Sequence, residues 1–230
     1  MSKILASIKN LSEAKILINT DIDIIELKDP SKGALGRLDK DDIEIIVNFV
    51  NKKKITSSTV GDLPNDEKLI SRNVKEISET NVDFIKIGVY ENNYIKTLSN
   101  IKSCKKLIAV FFADKFLPTK EEISILKKSG FRGVMIDTSN KNSGNLFNHV
   151  TCSDINNFLS IAKSMDLLTG VAGSINMSHI NEIIELNPNY IGFRGALCEN
   201  SSVRSSKISA INVNNIINLV NKSKNIAVSA

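Results

Sequence analysis

The sequence predicts an α/β protein that forms a single (β/α)8 barrel, the TIM-barrel architecture, over residues 1–230. The chain has 230 residues, which suits one barrel and is short for two enzyme domains. Short apolar runs rich in β-branched residues alternate with longer amphipathic stretches, and the alternation continues along the chain. Hydrophobic residues make up 42% and charged residues 24%, as in ordinary globular proteins. A doubly wound open sheet is the alternative that shares this alternation.

Eight runs have the length and composition of buried strands, with Ile and Val prominent and polar or turn-forming residues at their boundaries. Their even distribution along the chain, each followed by a helical pattern, indicates consecutive βα units. In chain order the predicted strands are Lys3–Ile8, Ile22–Lys28, Ile55–Val60, Asp83–Val89, Leu107–Ala113, Gly133–Asp137, Leu168–Ala172 and Tyr190–Gly195.

The stretches between these strands place apolar residues at helical spacing. Thr119 lies three positions before Glu122, and Ser178 lies four before Glu182, so both are predicted to cap helices. The predicted helices are Leu11–Asn19, Asp41–Lys52, Glu67–Thr80, Asn93–Ser103, Lys120–Ser129, Ser153–Met165, Met177–Leu186 and Ala210–Asn221.

The charge is basic, with a net charge of +5 and an isoelectric point near 9.0. The lysines are scattered, and the run Lys52–Lys54 is predicted to be a solvated turn, since no nucleic-acid motif accompanies it. We therefore expect no nucleic-acid partner, while a small anionic substrate suits the charge. The sequence leaves the oligomeric state open and is compatible with a homo-oligomer.

A cytoplasmic location is expected. No apolar run approaches the ~20 residues that cross a bilayer, so no membrane association is predicted, and the N-terminus lacks the pattern of a secretory signal. The cysteines are odd in number and lie far apart, which favours a reducing compartment. His149 and His179 have no metal-ligand spacing, and no metal is predicted. The three cysteines are Cys104, Cys152 and Cys198.

Polar residues occupy positions that should face into the barrel. Glu26 and Lys28 lie two apart on the second strand, so they share one face, and Lys86 has the same inward position on the fourth strand. Asp137 ends the sixth strand, and Lys141 follows in a loop of small polar residues. Active sites of (β/α)8 barrels lie at the carboxyl ends of the strands, so these residues are candidates for catalysis.

Two inward lysines have two explanations. Each could reach the rim and form a salt bridge with Glu26 or Asp137 that only holds strands together. The alternative, which a pair of lysines with acidic neighbours favours, is a functional pocket. Burial and a second ammonium would lower the pKa of Lys28, so that its amine could attack a carbonyl and form an iminium. We expect neither lysine to anchor the core.

The loops after the seventh and eighth strands read VAGSI and FRGALC. Barrels commonly hold phosphate with backbone N–H groups of these two loops, although glycine also serves simply as a turn former. Thr59, Asp62 and Asp114 follow other strands, and the sequence does not decide between a role in the site and a plain turn. The candidate phosphate-binding residues are Gly173, Ser174, Gly195 and Ala196.

The runs IIELKDPSKGALG, SSTVGD, DFIKIGVY, MIDTSNK, VAGSI and FRGALC, in this order, resemble the (5-formylfuran-3-yl)methyl phosphate synthase family of methanofuran biosynthesis over nearly the whole chain. The resemblance implies a (β/α)8 lyase that condenses two molecules of glyceraldehyde 3-phosphate into a furan aldehyde phosphate, with loss of phosphate and water. It implies a phosphorylated triose as the small-molecule partner and no metal or organic cofactor.

Carried over by motif, Lys28 corresponds to the family's Schiff-base lysine and Lys86 to its proton-transferring lysine. Asp137 and Lys141 match a further acid–base pair, and Glu26 stands where members commonly have aspartate. Two other function classes stay open: another Schiff-base, aldolase-like enzyme acting on phosphorylated sugars, and a barrel that binds a phosphate ligand without catalysis. An imine-forming lysine at a strand end argues against the second of these.

Overall fold

The computed structural model describes residues 2–140 and 142–229, with side chains to residue 223. Its strands are β1 Lys3–Ile8, β2 Ile24–Leu27, β3 Ile55–Thr59, β4 Phe84–Val89, β5 Lys106–Phe112, β6 Gly133–Asp137, β7 Leu168–Val171 and β8 Tyr190–Phe193. Its helices are α1 Leu11–Leu17, α2 Lys40–Val50, α3 Glu67–Ser78, α4 Tyr94–Asn100, α5 Lys120–Lys128, α6 Cys152–Ser164, α7 Ile180–Glu185 and α8 Ala210–Ser229. Among these, none is long and apolar enough to cross a membrane.

The strands close into a barrel. Each strand pairs in parallel with the next one along the chain, and β8 pairs with β1. The predicted (β/α)8 fold is therefore confirmed, and the open sheet is excluded. The register places Glu26 of β2 between Ser7 of β1 and Ser57 of β3, so these three residues are neighbours on the inward face of the barrel.

Successive residues of a strand pack into two different apolar clusters, one outside the barrel and one inside it. Ile25 and Leu27 of β2 point outward and pack in the large apolar cluster between the barrel and its helices. Leu5, Ile24 and Met135 point inward and belong to a second cluster inside the barrel. Because side chains alternate along a strand, the inward face of β2 must also hold Glu26 and Lys28.

Most element boundaries lie within a few residues of the prediction, and three details differ. The last helix, predicted as Ala210–Asn221, continues to Ser229. The predicted helix Met177–Leu186 is divided into a 3-10 turn, Met177–His179, and α7. Ser178 does not cap it: Asn176 accepts the Ser178 N–H at 2.9 Å, because the turn begins one residue earlier. The predicted cap Thr119 is confirmed and forms a capping box with Glu122.

A buried ion pair stands where β8 meets the first βα unit. Arg194 follows β8 and donates to both carboxylate oxygens of Glu13 in α1, at 2.6 and 3.1 Å. Its remaining N–H groups donate to the carbonyls of Ser7, Arg204 and Ser206. All five donors of the guanidinium are thus used, and Arg194 ties the last strand to the first.

Candidate active site

Four of the five predicted catalytic side chains lie in the described part of the chain, and all four meet inside the barrel. Glu26 and Lys28 come from β2 and its end, Lys86 from β4 and Asp137 from the end of β6. Each is at most 4% exposed. The fifth residue, Lys141, lies outside the described residues.

Glu26 is the centre of this group. Its carboxylate lies 2.6 Å from Lys86 Nζ and 3.3 Å from Lys28 Nζ. The Ser7 hydroxyl donates to Glu26 at 2.5 Å. Lys28 Nζ is also 4.0 Å from a carboxylate oxygen of Asp137. The two lysines are therefore joined through Glu26, and they alternate with carboxylates.

The surroundings of Glu26 keep it ionised. Burial alone would raise its pKa, because a carboxylate loses hydration inside the barrel. The charges of Lys28 and Lys86 and the hydrogen bonds from Lys86 and Ser7 outweigh burial and bring the pKa well below its usual range. Glu26 is thus ionised at neutral pH while both neighbouring lysines are charged.

A cavity of about 370 Å³ opens at the carboxyl ends of the strands. Glu26, Lys28 and Asp137 form part of its floor, and its wall includes the loops after β7 and β8. This is the end of the barrel where active sites of the fold lie. A molecule that enters this upper cavity can reach Lys28 Nζ.

Lys86 does not line the upper cavity. Its ammonium lies on the other side of Glu26, where it is 3.3 Å from Met135 Sδ and 5.0 Å from the centre of the Tyr190 ring. It borders a second cavity, of about 190 Å³, instead. The two lysines contact the same carboxylate, but Lys28 borders the upper cavity and Lys86 borders the second cavity.

The four predicted phosphate-binding residues, Gly173, Ser174, Gly195 and Ala196, all line the upper cavity. Gly173 and Ser174 both have positive φ, at 118° and 51°, so the loop after β7 turns sharply. A Cβ at Gly173 would lie 3.1 Å from the Thr138 side chain, and the loop is therefore closely packed against the end of β6. Phosphate binding itself stays a prediction.

Arg204 is a cavity residue that sequence reasoning missed. It lies in the segment between the 3-10 turn Gly195–Leu197 and α8, and it lines the upper cavity beside Ser201 and Ser202. Burial lowers the pKa of its guanidinium, which the charge of Asp137 partly offsets. The only sequence signal was an arginine in a serine-rich loop, and only the fold shows that this loop folds back over β8.

Residues left undecided by the sequence have structural partners. Asp62 accepts the N–H groups of Ala34 and Leu35 at 2.7 and 2.8 Å, which fixes the loop after β2. Asp114 does the same for the loop after β6: it accepts from the Ser139 hydroxyl and backbone and from the Asn140 N–H.

A model of the family described as 4-HFC-P synthase matches residues 4–217. The chain belongs to the 4-HFC-P synthase family. The resemblance noted in the sequence motifs is thereby confirmed, and the match includes every described residue of the Glu26 group.

Curated relatives of this 4-HFC-P synthase family member agree with the assignment. The (5-formylfuran-3-yl)methyl phosphate synthase of Archaeoglobus fulgidus is 31% identical over 90% of this chain and 94% of its own length. The enzyme of that name from Methanocaldococcus jannaschii is 29% identical over 89% of this chain and 94% of its own. Among solved structures, 3-hexulose-6-phosphate synthase from Salmonella typhimurium has a TM-score of 0.66 at 13% identity and covers 96% of this chain and 99% of its own, which shows the shared fold alone.

We predict that Glu26→Gln destabilises the protein at neutral pH by about 3 kcal/mol, because it leaves two buried ammoniums without their shared partner. The folded pKa of Glu26 lies below its ordinary value of 4.5. The contribution of ionised Glu26 to the free energy of unfolding is therefore fully present above the pKa of the unfolded state. It is lost as the pH falls through the pKa of the folded state. The stability difference between variant and parent should narrow below pH 4.5 in urea melts.

The matched control is Glu121→Gln, at an exposed position in the first turn of α5. It should change stability by only a few tenths of a kcal/mol. A difference for Glu26→Gln that stays constant from neutral to acidic pH would contradict an ionised, paired Glu26.

Proposed function

We propose that this family member condenses two molecules of glyceraldehyde 3-phosphate into (5-formylfuran-3-yl)methyl phosphate, through a Schiff base on Lys28, in methanofuran-type cofactor biosynthesis. Two trioses bring six carbons and two phosphoryl groups. The product keeps all six carbons and one phosphoryl group, so one phosphate and two water molecules leave. This makes the enzyme a lyase that acts on phosphates.

The observation that carries the proposal is the position of Lys28. Among the described residues, Lys28 is the lysine that lines the upper cavity, and its Nζ has carboxylate oxygens of Glu26 and Asp137 at 3.3 and 4.0 Å. A lysine that only braced the barrel would need one such partner and no cavity. Attack on an aldehyde needs a proton acceptor and then a proton donor beside the amine, and two carboxyl groups supply both functions.

The first half-reaction follows from this arrangement. Lys28 Nζ gives up a proton, attacks the aldehyde carbon of one triose phosphate and forms a carbinolamine. Asp137, which lies on the cavity side, donates the proton with which the hydroxyl leaves as water. The iminium then withdraws electrons from the adjacent carbon, whose C–H proton becomes acidic enough to be removed.

Glu26 and Lys86 suit the later proton transfers. Lys86 lies behind Glu26 and has no access to the upper cavity, so it acts on substrate through the Glu26 carboxylate. Lys86 must first lose one of its ammonium protons, and the neutral amine would then accept, over its 2.6 Å contact with Glu26, the proton that the Glu26 carboxylate removes from carbon. This geometry supports a proton-transferring role for Lys86 and gives no support to a second Schiff base there.

In this proposal the retained phosphate binds at the wall of the upper cavity. The Gly173–Ser174 and Gly195–Ala196 segments border the same cavity as Arg204. Arg204 makes no ion pair with any residue that the structure describes, whereas every donor of Arg194 is used within the fold. A planar guanidinium with unused N–H groups is suited to phosphate oxygens.

Another Schiff-base enzyme acting on phosphorylated sugars would share Lys28 and the phosphate loops but not the product. Incubation of the protein with glyceraldehyde 3-phosphate distinguishes this alternative from the proposed furan-forming reaction. The proposal expects ultraviolet absorbance of a furan aldehyde together with released inorganic phosphate. Consumption of substrate with no phosphate release would favour an aldolase-type reaction. A cytoplasmic location stays a prediction from the sequence.

We predict that borohydride, added during turnover of glyceraldehyde 3-phosphate, reduces an imine and leaves a stable adduct on Lys28, because this amine faces the upper cavity. Mass mapping of peptides identifies the modified lysine. Lys128→Met, at an exposed position on α5, should still be trapped, whereas Lys28→Met should not. An adduct found on Lys86 alone would refute the assignment.

We predict that Lys28→Met and Lys86→Met both abolish furan formation but differ in stability. Lys86 is 2% exposed and lies closest to Glu26, so its loss should cost roughly 3 kcal/mol. Lys28 borders the cavity, and its loss should cost less. This modifies the sequence-based expectation that neither lysine anchors the core. Activity and thermal melts are measured together, and a folded, fully active variant would contradict that lysine's role.

We predict that Arg204→Met raises KM much more than it lowers kcat, because it removes binding energy that substrate and transition state share. Arg194→Met is the matched comparison. It should instead destabilise the fold by about 3–5 kcal/mol, since Glu13 loses its buried partner. An unchanged KM in Arg204→Met would place the retained phosphate elsewhere in the cavity.

A further inference from the structure

A second cavity opens at the opposite end of the barrel from the upper cavity. This lower cavity has a volume of about 190 Å³. Its lining includes the first residues of six strands, so it lies at the amino-terminal face of the barrel; they are Lys3, Ile24, Ile55, Phe84, Leu168 and Tyr190. Lys3 and Leu168 are exposed, which connects the cavity with solvent.

Lys86 forms part of the wall of the lower cavity. It is one of the most deeply buried large side chains of the described chain, at 2% exposure, and Glu26 separates it from the upper cavity. The other inward lysine, Lys28, borders the upper cavity and not the lower one. Each lysine therefore meets a different opening of the same barrel.

Two further polar groups border the lower cavity. The Ser57 hydroxyl and the Tyr190 hydroxyl are buried, and neither has a hydrogen-bond partner among the residues that the structure describes. A buried hydroxyl without a partner costs roughly 1–3 kcal/mol, so such groups in proteins are normally satisfied by water when no side chain is near. The Tyr190 ring also packs under the Lys86 ammonium.

The polar groups on its wall indicate that the lower cavity holds water. A cavity stays dry when its walls are wholly apolar, whereas a water needs room and about two to four polar partners. The lower cavity offers an ammonium and two hydroxyls among the apolar side chains of Leu5, Ile24 and Ile108. Its volume also exceeds that of a single water, about 30 Å³ in the liquid.

We propose that the lower cavity holds a short chain of water that connects the Lys86 ammonium with solvent at the amino-terminal face of the barrel. The step is a proton exchange: an N–H bond of Lys86 breaks, the proton joins a cavity water, and solvent takes up or returns a proton at the rim. No other bond changes, and nothing is oxidised or reduced.

The use of this route in turnover rests on the proposed function. Substrate in the upper cavity covers Lys28 and Glu26, so a proton delivered to Lys86 could not leave upward. Burial and the nearby Glu26 and Asp137 raise the pKa of Tyr190, which keeps its hydroxyl protonated and able to orient water. Tyr190 and Ser57 are thus positioning residues for water, and Lys86 is the group that exchanges.

The test measures exchange at Lys86 directly. In protein labelled with 15N at lysine side chains, the Lys86 ammonium signal is assigned by its loss in Lys86→Arg, and its hydrogen exchange with solvent is followed in the absence of substrate. Ser57→Val removes a water partner and fills space, while Leu168→Phe adds bulk at the rim. Both should slow exchange at Lys86 about tenfold or more, while exchange at Lys28 is unchanged.

The matched control is Ala172→Val, which narrows the upper cavity and leaves the lower one untouched. It should slow exchange at Lys28 alone. The proposal is overturned if Ala172→Val slows Lys86, or if neither lower variant does so. Ser57 and Leu168 lie at different positions of the lower cavity. If one of these variants fails to fold, exchange at Lys86 in the other still tests the proposal.

A second measurement separates this inference from the proposed function. If the route serves turnover, Ser57→Val should lower kcat with little change in KM and shift the pH dependence of kcat, whereas a purely structural change would leave that profile in place. Slowed exchange with unaltered kcat would refute the use in turnover. Failure of borohydride to trap Lys28 would refute the proposed Schiff base and leave the exchange result standing.

Discussion

The structure of the site depends on one carboxylate placed between two lysines. Without Glu26, the ammoniums of Lys28 and Lys86 would repel each other in a space where charges are poorly screened. With it, each lysine has a partner, and the carboxylate takes a further hydrogen bond from Ser7. The resemblance places aspartate at this position in other members. The longer glutamate of this chain still contacts both lysines, so the substitution preserves the link.

This arrangement divides the barrel interior into two chemical compartments. On the upper side, Lys28 and Asp137 face a cavity with an arginine and two glycine-bearing loops. On the lower side, Lys86 faces apolar walls and two hydroxyls. Glu26 contacts both lysines, so in the proposed function it carries protons between the two compartments. A covalent reaction on one side can thus be coupled to proton exchange on the other.

The inward residues could be predicted from the sequence because side chains alternate strictly along a strand. Once Ile25 and Leu27 are assigned to the helix side, Glu26 and Lys28 must face inward, and closure of the barrel then brings Lys86 and Asp137 to them. The same logic could not find Arg204, since it lies in an irregular segment whose path depends on contacts with β8. It also could not separate Lys28 from Lys86 by depth, which follows from the stagger of strands in the closed barrel.

Several acidic residues near the strand ends have partners within the fold. Asp62 and Asp114 accept backbone N–H groups of neighbouring loops, so their charges serve to hold those loops. Glu13 is neutralised by Arg194, and Glu26 by the lysines. Most carboxylates near the mouth are thus engaged within the fold, and Arg204 and the backbone N–H groups of the loops remain to meet a substrate. In the proposed function, this charge arrangement attracts a phosphorylated substrate and orients it with the phosphate at the wall and the carbonyl toward Lys28.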